Sequence, residues 1–337
     1  MTEPALAHRR ALLVLAGAGL LLLMVAGGAP SPLYSWYQER IGFPAGTLTM
    51  IFAIYALALL VSLMVFGALS DYVGRKPVLV AALGTQAGAM ALFLPAHSVG
   101  MLLSARAAQG VATGAAVATY GAALIDAQRP GSDAGAIINA TFPSLGLGIG
   151  ALFAGFAMRW SPRPADAVFG FLVAAFVLLA VIVAAAPESG PRRPGALGAL
   201  RPTLAAPAHV RPTLVLLIPT LLGIWAISGL FFSLGPSIAI GIFGQRGSLA
   251  GASVIAAMTF SGTAMVFVVR SAPARAMMLG GSAALIVGPG LLLAALGAGS
   301  MAVFYLGSAV TGAGFSTVFY GIVRTVGALA RPQERAG

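Results

Sequence analysis

Ten stretches of about 18–25 predominantly apolar residues recur along the chain, and no other feature restricts its fold as tightly. A helix rises about 1.5 Å per residue and the hydrocarbon core of a bilayer is roughly 30 Å thick, so each stretch fits one crossing. The stretches run over about 11–29, 47–68, 77–96, 100–125, 134–157, 167–187, 212–234, 248–269, 277–297 and 301–323. Composition agrees, with 59% hydrophobic and 8% charged residues. No aqueous fold hides that much apolar surface. The expected class is an all-α polytopic membrane protein.

The connecting loops test this threading independently, because Lys and Arg accumulate on the cytoplasmic side of a membrane protein. Of the nineteen basic residues, fourteen fall on one side, from Arg9 and Arg10 through Arg75, Lys76, Arg129, Arg192, Arg193, Arg201 and Arg211 to Arg331 and Arg335. The other side carries Arg40, Arg159, Arg163 and Arg246, and Arg106 lies inside a span. Both termini are therefore expected in the cytoplasm. The same placement accounts for the net charge of +11 without nucleic acid. The first apolar run follows His8-Arg9-Arg10 and ends near Ala26-Gly27-Gly28, as a signal peptide would. Cleavage there would reverse the side of every later loop, so a retained first helix is expected.

Several function classes drop out. There are no cysteines, so disulfides, thiolate metal sites and a Cys nucleophile are excluded. His8, His97 and His209 are scattered, which argues against a metal cluster or a catalytic triad. A phosphate-binding G-x-x-x-x-G-K-[ST] loop is also absent, which argues against ATP-driven pumping. The chain reads as no enzyme and as needing no cofactor.

The longest polar connector runs from about Pro187 to Pro212 and is rich in Pro, Gly and Arg. It divides a six-helix bundle at 1–190 from a four-helix bundle at 212–337, with a cytoplasmic linker at 191–211. A repeat at an offset of about 200 residues relates the two parts. Span 4 carries Thr113-Gly114, Thr119 and Tyr120-Gly121; span 10 carries Thr311-Gly312, Thr317 and Tyr320-Gly321. Pro30-Ser31 likewise matches Pro236-Ser237, and Arg75-Lys76 has an echo in Arg270 and Arg275. If the halves are equivalent, two last helices are expected beyond Gly337.

Between spans 2 and 3 stands Gly67-Ala68-Leu69-Ser70-Asp71-Tyr72-Val73-Gly74-Arg75-Lys76-Pro77. Gly74 suits a turn, Pro77 a first helical turn, and Arg75 with Lys76 hold the loop inside. Asp71 at the membrane face needs a helix N-terminus or a cation as partner. This run resembles the signature loop of the major facilitator superfamily, G-x-x-x-D-x-x-G-R-[RK], at Gly67, Asp71, Gly74, Arg75 and Lys76. The resemblance implies the superfamily's helical bundle, with six plus four of its helices present, and a cytoplasmic latch. In that latch Arg75 would pair with Asp126, while the partner of Asp71 would lie past residue 337.

Arg106 sits inside span 4, where a charge costs at least about 2.5–3.5 kcal/mol. At helical spacing Arg106, Gln109, Thr113 and Tyr120 share a stripe suited to a cavity wall, and Gly110, Gly114 and Gly121 adjoin it where a neighbouring helix can approach. Snorkelling of Arg106 toward the outer interface is the competing reading. Arg106-x-x-Gln109-Gly110 also resembles the superfamily's fourth-helix pattern, which implies a part in proton coupling. The repeat puts Phe304 at the equivalent position.

Weaker signals complete the site. Gly146, Gly148, Gly150 and Gly155 resemble an exporter motif, with Ala151 and Ala154 as departures, and tight helix packing is the simpler account of them. Tyr34 and Gln38, with Trp225 and Phe231 in the counterpart span, suit either an aromatic binding surface or an interfacial belt. Asn139 suits a cavity ligand or an interhelical hydrogen bond. Glu39 is the candidate proton carrier. Together these point to a secondary transporter that moves a small solute by alternating access near the bilayer midplane, with efflux coupled to protons as the guess from resemblance. The expected setting is the bacterial inner membrane, with membrane lipid, a small-molecule substrate and protons as partners and a monomer as the assembly. A truncated, non-transporting sensor or scaffold is the alternative.

Overall fold

Helices make up the regular structure of the computed structural model, which describes residues 3–129, 132–188, 190, 192–199, 211–244 and 248–329. In chain order they are α1 (Glu3–Gly28), α2 (Pro30–Ile41), α3 (Ala45–Phe66), α4 (Ser70–Val73), α5 (Arg75–Phe93), α6 (Val99–Ala127) and α7 (Ala134–Trp160), then α8 (Pro164–Ala185), α9 (Ala196–Ala199), α10 (Arg211–Gly241), α11 (Ser248–Val269), α12 (Ala274–Ala298) and α13 (Met301–Leu329). Arg201, His209, Arg246, Arg331, Glu334 and Arg335, with linker residues 191 and 200–210, lie outside the described residues.

Ten helical segments among the described residues are long and apolar enough to cross a membrane, and they coincide one for one with the ten expected stretches. Their outward faces carry large apolar side chains such as Val61, Leu178, Leu216, Val268, Ile286 and Leu293, which water would disfavour and lipid accepts. Local signals set several starts. The Ser98 side chain accepts from the Met101 N–H at the head of α6, and Pro164 opens α8 where its missing N–H is no loss.

The first apolar run ends near residue 29 as expected and α2 carries the span on to Ile41, whereas α10 continues to Gly241 rather than 234. Both expected ends fall at a proline, Pro30 and Pro236, which removes a ladder donor and frees the carbonyl four residues back. Side chains from other helices fill those carbonyls, as described below, and the helices run on.

Contacts group the chain into two compact units. Unit 1 comprises residues 1–26, 36–143 and 161–204; unit 2 comprises 27–35, 144–160 and 205–337. In unit 1, α6 crosses α3 at close range, for a Cβ on Gly110 would sit 2.5 Å from the Tyr55 carbonyl oxygen and one on Gly114 2.5 Å from that of Leu59. Such backbone approach is what small residues permit between helices in lipid. The Ser62 hydroxyl donates across the crossing to the Val111 carbonyl at 2.6 Å. Unit 2 repeats the arrangement about 199 residues later: Gly312 of α13 abuts the Met258 carbonyl of α11, and the Ser261 hydroxyl donates to the Ala309 carbonyl at 2.8 Å. The repeat seen in the sequence is thus also a repeat of contacts.

Candidate functional site

The turn after the second span assembles around Arg75, only 6% exposed. Gly74 precedes it at φ +99°, a conformation that a side chain resists, and α5 begins at the next residue. The guanidinium donates through Nε to an Asp126 carboxylate oxygen at 3.3 Å and through Nη1 to the Ser70 hydroxyl at 2.6 Å, and Nη1 also pairs with Asp71 one turn back. The structure therefore brings Arg75 and Asp126 together as the resemblance implied. It also gives Asp71 a partner within the turn. Gly67 keeps helical torsions at the end of α3, φ −55° and ψ −42°, and so carries the chain into the turn.

One residue of this cluster escaped the sequence reading. The Glu188 carboxylate, just past the end of α8, accepts from the backbone N–H of Arg75 at 2.9 Å, of Lys76 at 3.3 Å and of Gly190 at 2.9 Å. It serves as the cap that α5 lacks in its own sequence, with its negative charge at the positive end of the helix dipole. Lys76 answers in the opposite sense, donating through Nζ to the Ala186 carbonyl at the end of α8 at 2.9 Å. The Arg193 N–H then donates to the Tyr72 carbonyl at 2.9 Å, fastening the first linker residues to the turn. An acid directly after the sixth apolar stretch was the available signal.

The first half of α6 carries the buried polar group. Arg106 is 1% exposed, so it does not snorkel to a surface. Its guanidinium carbon stands 5.0 Å from the ring centroids of both Phe52 and Tyr55, one helical turn apart on α3, where each ring face attracts the cation. Arg106 Nη1 donates to Gln109 Oε1 at 2.9 Å, and Gln109 Nε2 donates to the Ala26 carbonyl of the first span at 2.8 Å. The Thr113 hydroxyl turns back to the Gln109 carbonyl at 2.8 Å. At the equivalent place in unit 2, Phe304 is buried against Phe231, Val254, Met258 and Ala295.

The carbonyl that Gln109 reaches is the one that Pro30 leaves without its helical donor. Unit 2 shows the same device: Pro236 frees the Phe232 carbonyl, and the Ser31 hydroxyl donates into it at 3.0 Å. Two prolines at matched positions of the repeat thus each open an acceptor that a side chain from another helix occupies.

The remaining sequence candidates scatter. Tyr34 is buried within unit 2, whereas Gln38 in unit 1 donates to the Phe43 carbonyl at 2.9 Å and so closes the end of α2. Asn139 is exposed and lies beside Gly121. Trp225 and Phe231 occupy different faces of α10. Phe231 is in the core, and Trp225, 59% exposed, makes edge-on ring contacts with Phe315 and Phe319 of α13. Sequence reasoning missed that aromatic trio, although Phe315 and Phe319 stand at i, i+4 spacing on one face. Glu39 is exposed near the end of α2. Among the described residues no group of three or more His, Cys, Asp or Glu side chains could hold a metal.

Residues 16–337 match the sequence profile of the Major Facilitator Superfamily. No curated protein sequence matches the chain significantly. Among solved structures, a bacterial homologue of the human lysosomal transporter Spinster, inward-facing and unoccupied, covers 100% of this chain and 78% of its own at 16% identity and a TM-score of 0.72. The nucleoside transporter NupG covers 96% of this chain and 84% of its own at 11% identity and a TM-score of 0.68. The human organic anion transporter MFSD10 covers 97% and 92% at 22% identity and a TM-score of 0.59.

Proposed function

Because the chain belongs to the major facilitator superfamily, it is a secondary transporter that works by alternating access, and we propose that it exports a small drug-like or metabolite solute in exchange for protons. The bundles at 1–190 and 212–337, joined by the linker at 191–211, are the parts that rock. The setting is a bacterial inner membrane with both termini in the cytoplasm and a monomeric protein. Support for that orientation comes from the one-sided distribution of Lys and Arg.

The observation that carries the site is the arginine held at membrane depth between Phe52 and Tyr55 and joined through Gln109 to the first span. Such a charge stays in lipid only where it serves a purpose. Arg106 offers a fixed positive charge to a polar or anionic group of the solute, and Gln109 and Thr113 supply neutral hydrogen-bonding atoms; within unit 2, Trp225 is the aromatic candidate. Tyr34, Gln38, Asn139 and Phe231 complete the candidate set. Glu39 is the candidate proton carrier at the mouth. Gly67, Asp71, Gly74, Arg75, Lys76 and Asp126 form the gate that holds the turn closed in one conformation and parts in the other.

Proteoliposome flux tests this. With a proton gradient imposed across liposomes carrying the full chain, a panel of labelled drug-like and metabolite solutes should yield at least one that moves against its gradient. Arg106→Ala should reduce that flux to the empty-liposome rate, and Arg106→Lys should keep part of it. Undiminished flux in Arg106→Ala removes Arg106 from the site. Solute binding with no flux in the unaltered chain overturns transport in favour of a sensor or scaffold.

A further inference from the structure

In unit 1, α5 and the end of α8 frame an open groove of about 500 Å³, lined by Lys76, Pro77, Val80, Ala81, Ala184, Glu188 and Arg192. That volume lies within the range of small-molecule sites, about 300–1,000 Å³. Its two ends differ in chemistry. One end holds two cations and a carboxylate; the floor is apolar and belongs to two membrane-spanning helices.

The charge balance at the polar end favours an anion. Among the described residues the ion pairs are those of Arg75 with Asp71 and Asp126, and in the groove Lys76 and Arg192 outweigh its one carboxylate, Glu188, by a single positive charge. Glu188 is already engaged with the N–H groups of Arg75, Lys76 and Gly190, and Lys76 Nζ is held at the groove by the Ala186 carbonyl. The floor favours an alkyl chain. Beyond Ala81, the same face of α5 continues through Gly84 and Gly88, where an added Cβ would meet nothing within 4 Å. These glycines are therefore not there for helix packing within the chain. They leave a shallow trough leading from the cations toward the bilayer interior.

We propose that this groove binds an anionic glycerophospholipid, its phosphate against Lys76 and Arg192 and an acyl chain along Val80, Ala81, Gly84 and Gly88. Basic pockets between helices at the membrane surface recognise such headgroups. A free phosphate would use the cations and leave the trough empty. A second copy of the chain, packing through Gly84 and Gly88, would have to run in the same direction across the membrane. It would set a second Lys76 and Arg192 beside the first, and like charges at that range repel. The inference stands apart from the identity of the transported solute.

Native mass spectrometry of the full chain in detergent tests it, with phosphatidylglycerol, phosphatidylcholine of the same acyl chains, and glycerol phosphate as probes. Phosphatidylglycerol should be retained over phosphatidylcholine, and Arg192→Gln should weaken that retention about fivefold, with Lys76→Gln/Arg192→Gln weakening it further. Arg192 is exposed and its loss leaves the helix ends intact, so a folding defect does not confuse the reading. Ala81→Phe, which fills the floor without touching charge, should also displace the lipid. Equal retention of the two lipids overturns the assignment. So does wild-type retention in the double variant, or glycerol phosphate binding as tightly as the lipid. A dimer abolished by Gly84→Leu with no change in lipid retention assigns the face to a second copy instead.

Discussion

The matched prolines make a quantitative prediction. Gln109→Leu removes two hydrogen bonds at once, the one given to the Ala26 carbonyl at 2.8 Å and the one received from Arg106 at 2.9 Å. Interhelical hydrogen bonds in membrane proteins are worth about 0.6 kcal/mol on average and up to roughly 1.7. A bond from a charged donor is worth about 1.5–3. The substitution should therefore destabilise unit 1 by about 2–5 kcal/mol.

Pro30→Ala isolates the part that belongs to the carbonyl. An alanine restores the N–H that a helix aims at Ala26, so in that background the carbonyl no longer depends on Gln109. Reversible unfolding in mixed micelles, measured on both singles and the double, gives the coupling. The cost of Gln109→Leu should fall by roughly 1 kcal/mol when residue 30 is alanine. The same cycle with Ser31→Ala and Pro236→Ala should behave alike, since Ser31 fills the Phe232 carbonyl. If Gln109→Leu costs the same in both backgrounds to within about 0.3 kcal/mol, the proline-freed carbonyl is not what Gln109 serves and the account fails.

Other substitutions separate contact from composition. Glu188→Ala, which strips the cap from α5, should lower the unfolding midpoint by an amount equivalent to about 1–2 kcal/mol in a thermal scan, and Glu188→Gln should restore part of it. Gly74→Ala should be poorly tolerated, because the residue sits at φ +99° and its Cβ would lie 2.3 Å from the Glu188 carboxylate, whereas Gly84→Ala meets open space and should leave folded yield unchanged. Gly312→Leu, pressed against the Met258 carbonyl, should abolish folded protein by size-exclusion assay, and Gly290→Leu on the open face of α12 should not.

How much of this was legible in the sequence follows from what each feature depends on. All ten spans could be read because lipid fixes length and polarity residue by residue, with no knowledge of neighbours. The ties at the first and seventh ends could not. Pro30 and Pro236 show in the sequence that a carbonyl loses its donor, but not that Gln109 and Ser31 supply it, since neither donor is close in sequence. The Gly110 and Gly114 face of span 4 was read correctly as a close helix crossing, because small residues at helical spacing carry that meaning by themselves. The polar stripe beside it was legible as a stripe, but its surroundings were not: that Phe52 and Tyr55 enclose Arg106 depends on the register of α3 against α6. Glu188 had only its place directly after the sixth apolar stretch to mark it, since a carboxylate in a Pro- and Arg-rich connector otherwise looks like any solvated charge.

The duplicated contacts explain how the two halves diverge. In each unit a serine hydroxyl from one helix donates to a carbonyl of the helix it crosses at a glycine contact, Ser62 of α3 to Val111 of α6 in one and Ser261 of α11 to Ala309 of α13 in the other. Those bonds use backbone acceptors and small side chains, so they fix the helix register whatever occupies the positions between. Arg106 and Phe304 then stand at matching points of the same frame. One is a cation held by rings and amides, and the other is a ring packed in hydrocarbon. A frame that tolerates both lets charge chemistry concentrate in one half while the other remains an apolar counterpart. The matched prolines extend the argument to the first and seventh spans. Each carries an acceptor at membrane depth that its own helix leaves unfilled, so each stays tied to a different helix by a bond that is cheap to move: the donor is a flexible amide or hydroxyl and the acceptor stays where it is.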